Sequence, residues 1–162
     1  MKNKWTRSII EFVVVVMVVI SMANYVAAQQ TNELDFTRWM FTKQKQLLMR
    51  MYGANLASQM FSLKRVGDTK TYRVVEAEKK RFDREQTVPA PANAKNAFRQ
   101  EAIKYHVAMA ALLEKYVASM DRLAKRLMAQ GKIDEANVAK TEKDKAEFML
   151  ADIKTKLAEA GG

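Results

Sequence analysis

Residues 63–79 read LKRVGDTKTYRVVEAEK, and residues 127–143 read LMAQGKIDEANVAKTEK. The two stretches lie 64 positions apart and align without a gap, and extending the alignment backwards to residue 48 gives 8 identities over 32 positions. The identical pairs are Leu48/Leu112, Tyr52/Tyr116, Ala54/Ala118, Leu63/Leu127, Gly67/Gly131, Val74/Val138, Glu78/Glu142 and Lys79/Lys143. Self-similarity at a fixed offset indicates a duplicated structural unit.

Each copy has the pattern of a helical hairpin. Apolar residues at helical spacing run up to Gly67 or Gly131, and a second helical pattern leads away from it. Glycine readily adopts the left-handed conformation that ends a helix. The sequence therefore predicts an all-α fold of two antiparallel helical hairpins with turns at these glycines. Because long apolar seams bury a second face, the hairpins should form a four-helix bundle with each other or a coiled-coil assembly with another chain.

Two prolines separate the predicted hairpins. Pro89 and Pro91 restrict themselves and the residues before them to extended backbone, which makes this segment a linker and a candidate hinge. The predicted organisation is a first hairpin at 29–86, a linker at 87–93 and a second hairpin at 94–162. The first helix should run from about Leu34 to Val66, and the third should begin near Ala94.

The second hairpin has the clearer periodicity. Its ascending helix carries seam residues at alternating spacings of three and four: Ile103, His106, Ala110, Leu113, Val117, Met120, Ala124 and Leu127. On the return helix the seam is rich in small side chains, including Ala136, Ala139 and Ala146. Small residues let helices approach closely, so we expect tight pairing within this hairpin.

The first 28 residues have the pattern of a signal peptide. Lys2, Lys4 and Arg7 precede an apolar run, and Val26-Ala27-Ala28 supplies small residues at the positions of a cleavage site. Such a signal peptide would direct the protein to the periplasm or the extracellular space and would be cleaved after Ala28. Alternatively, the 17 residues of 12–28 are an uncleaved anchor that contacts the membrane.

The composition removes several kinds of catalytic site. There is no Cys, which excludes disulfides, thiolate nucleophiles and cysteine-based metal sites. The sequence contains no Gly-rich phosphate loop and no pattern that sets a nucleophile beside a base. We therefore expect a non-enzymatic protein without a cofactor.

Positive charge is concentrated on the predicted ascending helices. The net charge is +10, and residues 36–67 contain six basic residues and no acidic one. The basic residues of this first helix are Arg38, Lys43, Lys45, Arg50, Lys64 and Arg65. A surface of one sign attracts anionic partners, so an acidic protein or an anionic envelope component is the expected partner. Nucleic acid is disfavoured, because only Trp39 and Phe41 offer stacking surfaces and both are expected to pack.

A few residues have two interpretations. His106 and Met109 lie one helical turn apart and could hold a soft metal such as Cu(I), although a polar seam residue that sets register is the commoner explanation of such a His. Lys79 and Lys143 are either ligand-binding cations or lysines that pack their stems on the seam and pair with carboxylates. Tyr52 and Tyr116 are expected to pack against the return helices with their hydroxyls in solvent.

The duplicated residues resemble the helical-hairpin repeats of uncharacterised secreted bacterial proteins. In the first copy the resemblance rests on Tyr52, Leu63, Gly67, Val74 and Glu78, and in the second copy it rests on the residues 64 positions later. Asp134 and Ala136 also match in the second copy, whereas the first copy lacks this later Asp and Ala. Size, export signal and basic charge also resemble small periplasmic chaperones of the Spy and Skp kinds, in architecture only. The hairpin resemblance implies no activity, and the chaperone resemblance fits the expected exported interaction protein, structural or chaperone-like, which could also be a homo-oligomer. The alternative is a small-ligand or soft-metal binder that uses His106 and Met residues.

Overall fold

The computed structural model describes residues 33–161, and within them it contains four α-helices and no strand. The helices are α1 (Glu33–Val66), α2 (Thr69–Glu85), α3 (Arg99–Ala129) and α4 (Ile133–Gly161), with a short 3-10 helix at Pro91–Asn93. The expected all-α class is confirmed. Residues 37–162 form one compact unit, to which all contacts given below belong. The predicted signal peptide and anchor at 1–28 lie outside the described residues.

Both predicted turns contain a glycine in the left-handed region. Gly67 has φ 75° and Gly131 has φ 73°. The same backbone hydrogen bond closes each turn, from Asp68 N to Leu63 O at 3.1 Å and from Lys132 N to Leu127 O at 2.9 Å. Asp68 also caps α2, because its carboxylate accepts a hydrogen bond from the amide of Thr71 at 3.0 Å.

The segment between α2 and α3 differs from the predicted one. Helix α3 begins at Arg99 rather than at Ala94, and Pro91 opens a 3-10 helix. Pro91, Ala94 and Phe98 are buried. The early start predicted for α3 was wrong. A short irregular segment places the side chains of Pro91, Ala94 and Phe98 in the core, and a continuous helix from Ala94 would point them in other directions.

Helices α1, α2 and α3 and the segment before α3 together form one core cluster. One cluster of buried residues comprises Tyr52, Leu56, Val75, Phe82, Ala94, Phe98 and Ala102. In the second half Ala136, Ala139 and Ala146 of α4 have no exposed surface, as expected for a close contact between α3 and α4. Burial of this apolar area is the main stabilising term for the fold.

Two ring pairs join α1 to α3. The Phe41 and Tyr116 rings stack with centroids 4.2 Å apart. Tyr52 and Tyr105 meet edge to face at 6.1 Å. Phe41 corresponds to Tyr105 at the 64-position offset, and Tyr52 corresponds to Tyr116. Each ring therefore contacts the counterpart of the other ring: Phe41 meets Tyr116, and Tyr52 meets Tyr105.

No helix within residues 33–161 is long and apolar enough to cross a membrane.

Candidate functional site

A tyrosine–glutamate hydrogen bond occurs in each half of the chain. Tyr52 Oη donates to Glu78 Oε1 at 2.9 Å, and Tyr116 Oη donates to Glu142 Oε2 at 3.4 Å. Tyr52 and Tyr116 are only 2% and 6% exposed. The expectation that their hydroxyls reach solvent was therefore wrong, because each hydroxyl donates to a carboxylate on the following helix, which is buried for Glu78 and partly buried for Glu142. Since Tyr and Glu recur at both positions 64 residues further on, the sequence did contain the signal for this contact.

A different cation neutralises the carboxylate in each half. Arg81 forms a bidentate pair with Glu78, from Nε to Oε2 at 2.8 Å and from Nη2 to Oε1 at 2.7 Å. Oε1 of Glu142 instead lies 3.1 Å from Nη2 of Arg38 and 3.6 Å from Nζ of Lys145. Arg38, one of the predicted basic binding residues, is thus engaged within the protein.

Tyr52, Tyr116 and Arg81 keep their protons near neutral pH. Burial, with the nearby Glu78 carboxylate, raises the pKa of Tyr52, and the hydrogen bond to Glu78 raises the pKa of Arg81. Burial beside Glu142 raises the pKa of Tyr116 to about 12. A general acid or base works best with a pKa near the operating pH. These clusters therefore have the properties of structural networks.

Lys79 and Lys143 are both paired with carboxylates. Lys79 Nζ lies 2.5 Å from Asp83 Oδ2, and Lys143 Nζ lies 3.2 Å from Asp121 Oδ1 and 3.6 Å from Glu147 Oε1. The hydrogen bond to Asp121 raises the pKa of Lys143. These contacts favour the interpretation of both lysines as seam residues paired with carboxylates.

His106 and Met109 lie inside the helical packing. Each is 5% exposed, and Nδ1 of His106 lies 2.8 Å from the carbonyl oxygen of Ala102. The imidazole also meets the Tyr105 ring edge to face at 5.3 Å. Among residues 33–161 no group of three or more His, Asp or Glu side chains could hold a metal ion. These contacts fit the interpretation of His106 as a buried polar seam residue.

Burial of His106 predicts a pH-dependent loss of stability. Desolvation lowers the pKa of His106, whose surroundings include Lys156 and Asp152 of α4. As pH falls below the ordinary histidine pKa of about 6.5, the unfolded chain takes up a proton that the folded chain resists. The free energy of unfolding should therefore fall between about pH 7 and pH 5.5, and His106→Gln should flatten this part of the profile. Urea unfolding at several pH values measures the effect, and an unchanged slope in the variant would contradict it.

Most of the predicted basic residues of α1 are exposed. Lys45, Arg50, Lys64 and Arg65 are exposed and form no ion pair with any residue in the described part of the chain. Lys43 is also exposed, with Nζ 6.0 Å from the centre of the Trp39 ring.

At about 100° per residue, positions 43, 50, 64 and 65 fall on one side of α1, whereas position 45 falls on the other. Exposed apolar side chains share this side of α1. Trp39 is 52% exposed, Leu47 is 45% exposed and Phe61 is 70% exposed. We call this surface the outer stripe; its members are Trp39, Lys43, Leu47, Arg50, Ala54, Ala57, Phe61, Lys64 and Arg65. Phe41 packs as predicted, stacked on Tyr116, whereas Trp39 keeps about half of its surface exposed. Phe61 was not predicted as a binding residue, although it lies outside the helical spacing of four and three that relates Leu56, Met60 and Leu63.

An open groove of about 410 Å³ adjoins the outer stripe between α1 and α2. Its lining includes Arg50, Ala54 and Ala57 of the stripe, and Phe82 and Asp83 of α2. The small side chains of α1 leave this space, which places Arg50 at the rim of a concave surface.

Comparison with known proteins found no matching family model, no matching curated protein and no matching solved structure. These comparisons add no support to the resemblances suggested by the hairpin residues.

Proposed function

We propose that the chain is a non-enzymatic, exported interaction protein, structural or chaperone-like, that binds an acidic protein or an anionic envelope component through the outer stripe. The observation that carries the proposal is a set of four exposed cations on one side of a helix whose residues 36–66 include no acidic side chain. These cations are Lys43, Arg50, Lys64 and Arg65. Like charges that form no ion pair within residues 33–161 attract anions and speed association with them.

The fold proposed for this function is a duplicated hairpin whose two copies dock as a four-helix bundle. The equivalent Tyr–Glu hydrogen bonds and the matching glycine turns support duplication. The exchanged ring pairs between α1 and α3 support docking about an approximate twofold axis. In such a bundle the inner side of α1 is held by the core, and the outer stripe stays exposed.

The proposal is tested by a pull-down from envelope extract with matched charge variants. The stripe variant changes Lys43, Arg50, Lys64 and Arg65 to Gln. The scattered variant changes Lys70, Lys95, Lys115 and Lys140 to Gln; these residues are also exposed, and both variants lose the same net charge. Arg38 is left intact because it holds Glu142.

Wild type and the scattered variant should capture the same partners, and capture should decrease as salt screens the contacts over about 8 Å at physiological ionic strength. The stripe variant should lose these partners. Equal capture by both variants would show that the outer stripe is only a solvated surface.

The alternative function is soft-metal binding by His106 and Met109. It is favoured only by the burial of an imidazole and a thioether one turn apart, ligands that suit Cu(I). In that case the protein should bind one equivalent of Cu(I) in a chelator competition, and His106→Ala should abolish binding while leaving the pull-down unchanged.

A further inference from the structure

We propose that the outer stripe docks on an anionic lipid surface, a proposal that rests on the proposed function and names its partner class. The stripe combines two chemistries that such a surface accepts together. Basic side chains are attracted to anionic headgroups, and aromatic side chains insert at the boundary between headgroups and acyl chains.

The apolar residues of the stripe favour lipid over a polyanion. Phe61 is 70% exposed and Trp39 is 52% exposed, and Leu47 lies between them. An acidic polymer would pair with the cations but has no apolar layer to receive large apolar side chains on the same line. A membrane interface provides an apolar layer for the rings and charge for the cations at one depth.

The geometry of α1 suits a planar partner. Trp39 and Phe61 are 22 residues apart, which is about 33 Å along the helix. Lys43 and Arg50 lie between them, and Lys64 follows Phe61 within one turn. The opposite side of α1 is fixed in the core by Tyr52 and Leu56, which are 2% and 0% exposed. The helix therefore presents the stripe without having to refold.

The test uses a chain that begins at Gln29, which removes the apolar segment 12–28 as a source of membrane binding. This chain retains all the described residues, and the packing above lies within residues 37–162. Circular dichroism checks that it is folded. Trp39 is then the only tryptophan, so its fluorescence reports on the stripe directly.

The vesicles are an equimolar mixture of phosphatidylglycerol and phosphatidylcholine, with pure phosphatidylcholine as the control. With the mixed vesicles we expect a blue shift of Trp39 emission, protection from iodide quenching and co-sedimentation; with the control vesicles we expect none of these. Phe61→Ser should weaken partitioning about tenfold or more, because it removes the most exposed apolar side chain of the stripe. The stripe variant should weaken it at least as much, and the scattered variant should not.

Poly-L-glutamate separates failure of this inference from failure of the proposed function. Phe61→Ser should leave binding to this polymer unchanged. If wild type binds poly-L-glutamate but not the mixed vesicles, the lipid inference is wrong and the proposed function stands. If wild type binds neither, both are wrong. Vesicle binding that survives both Phe61→Ser and the stripe variant would also overturn the lipid inference, because it would arise elsewhere on the protein.

Discussion

Replacing Arg81 by Gln should lower the free energy of unfolding by about 3 kcal/mol. The Glu78 side chain is only 6% exposed, and the guanidinium of Arg81 is its bidentate partner. Without Arg81 the Glu78 carboxylate keeps the hydrogen bond from the Tyr52 hydroxyl but loses its compensating positive charge. A buried charge without a partner of opposite sign destabilises the folded state. Equilibrium unfolding in urea measures the change.

The equivalent position in the second half supplies a matched control. Lys145 lies 64 residues after Arg81, but its side chain is 65% exposed and 3.6 Å from Glu142. Lys145→Gln should therefore cost less than about 0.5 kcal/mol, as for other exposed pairs. Adding Glu78→Gln to Arg81→Gln should recover part of the loss, because the buried charge is removed. Equal small losses in both single variants would show that Glu78 is hydrated in solution.

Leu56→Ala and Met120→Ala should each lower the free energy of unfolding by about 2–5 kcal/mol. Both side chains have no exposed surface, and they occupy positions 64 residues apart. Since residues 37–162 form one compact unit, each variant should shift a single unfolding transition observed by circular dichroism.

The control for these core variants is Leu47→Ala, which truncates a side chain that is 45% exposed and should change stability little. Two separate unfolding transitions, of which each core variant destabilises only one, would contradict cooperative unfolding of residues 37–162 as one unit. The hairpins would then be independent domains joined by the segment around Pro91.

The helical class and the two turns could be predicted from the sequence because they depend on local properties. Helical periodicity and a glycine with φ near 75° act within a few residues of the chain. The start of α3 could not be predicted in this way. Its position depends on burial of Phe98 against residues of α1 and α2, a contact that the local pattern does not contain.

The composition of the candidate site was only partly accessible from the sequence. The basic residues of α1 were found by counting charge, but counting could not separate Arg38, which pairs with Glu142, from Arg50, which is exposed and without an ion pair in the described part of the chain. Nor could it assign the apolar residues to two sides of the helix. Phe41 stacks on Tyr116, whereas Phe61 faces solvent, and the distinction comes from which side of α1 the other helices cover.

The central claim is that the outer stripe is the surface through which this protein meets its partner. Photocrosslinking in living cells tests it most directly, with a benzophenone amino acid at Ala57 of the stripe or, as control, at Ala151 of α4. Both positions are exposed alanines within helices, so the probe fits equally at each. We expect adducts from Ala57 to lipid or to an acidic partner, their loss in the stripe variant, and none from Ala151. Adducts from Ala151 alone, or adducts from Ala57 that persist in the stripe variant, would contradict it.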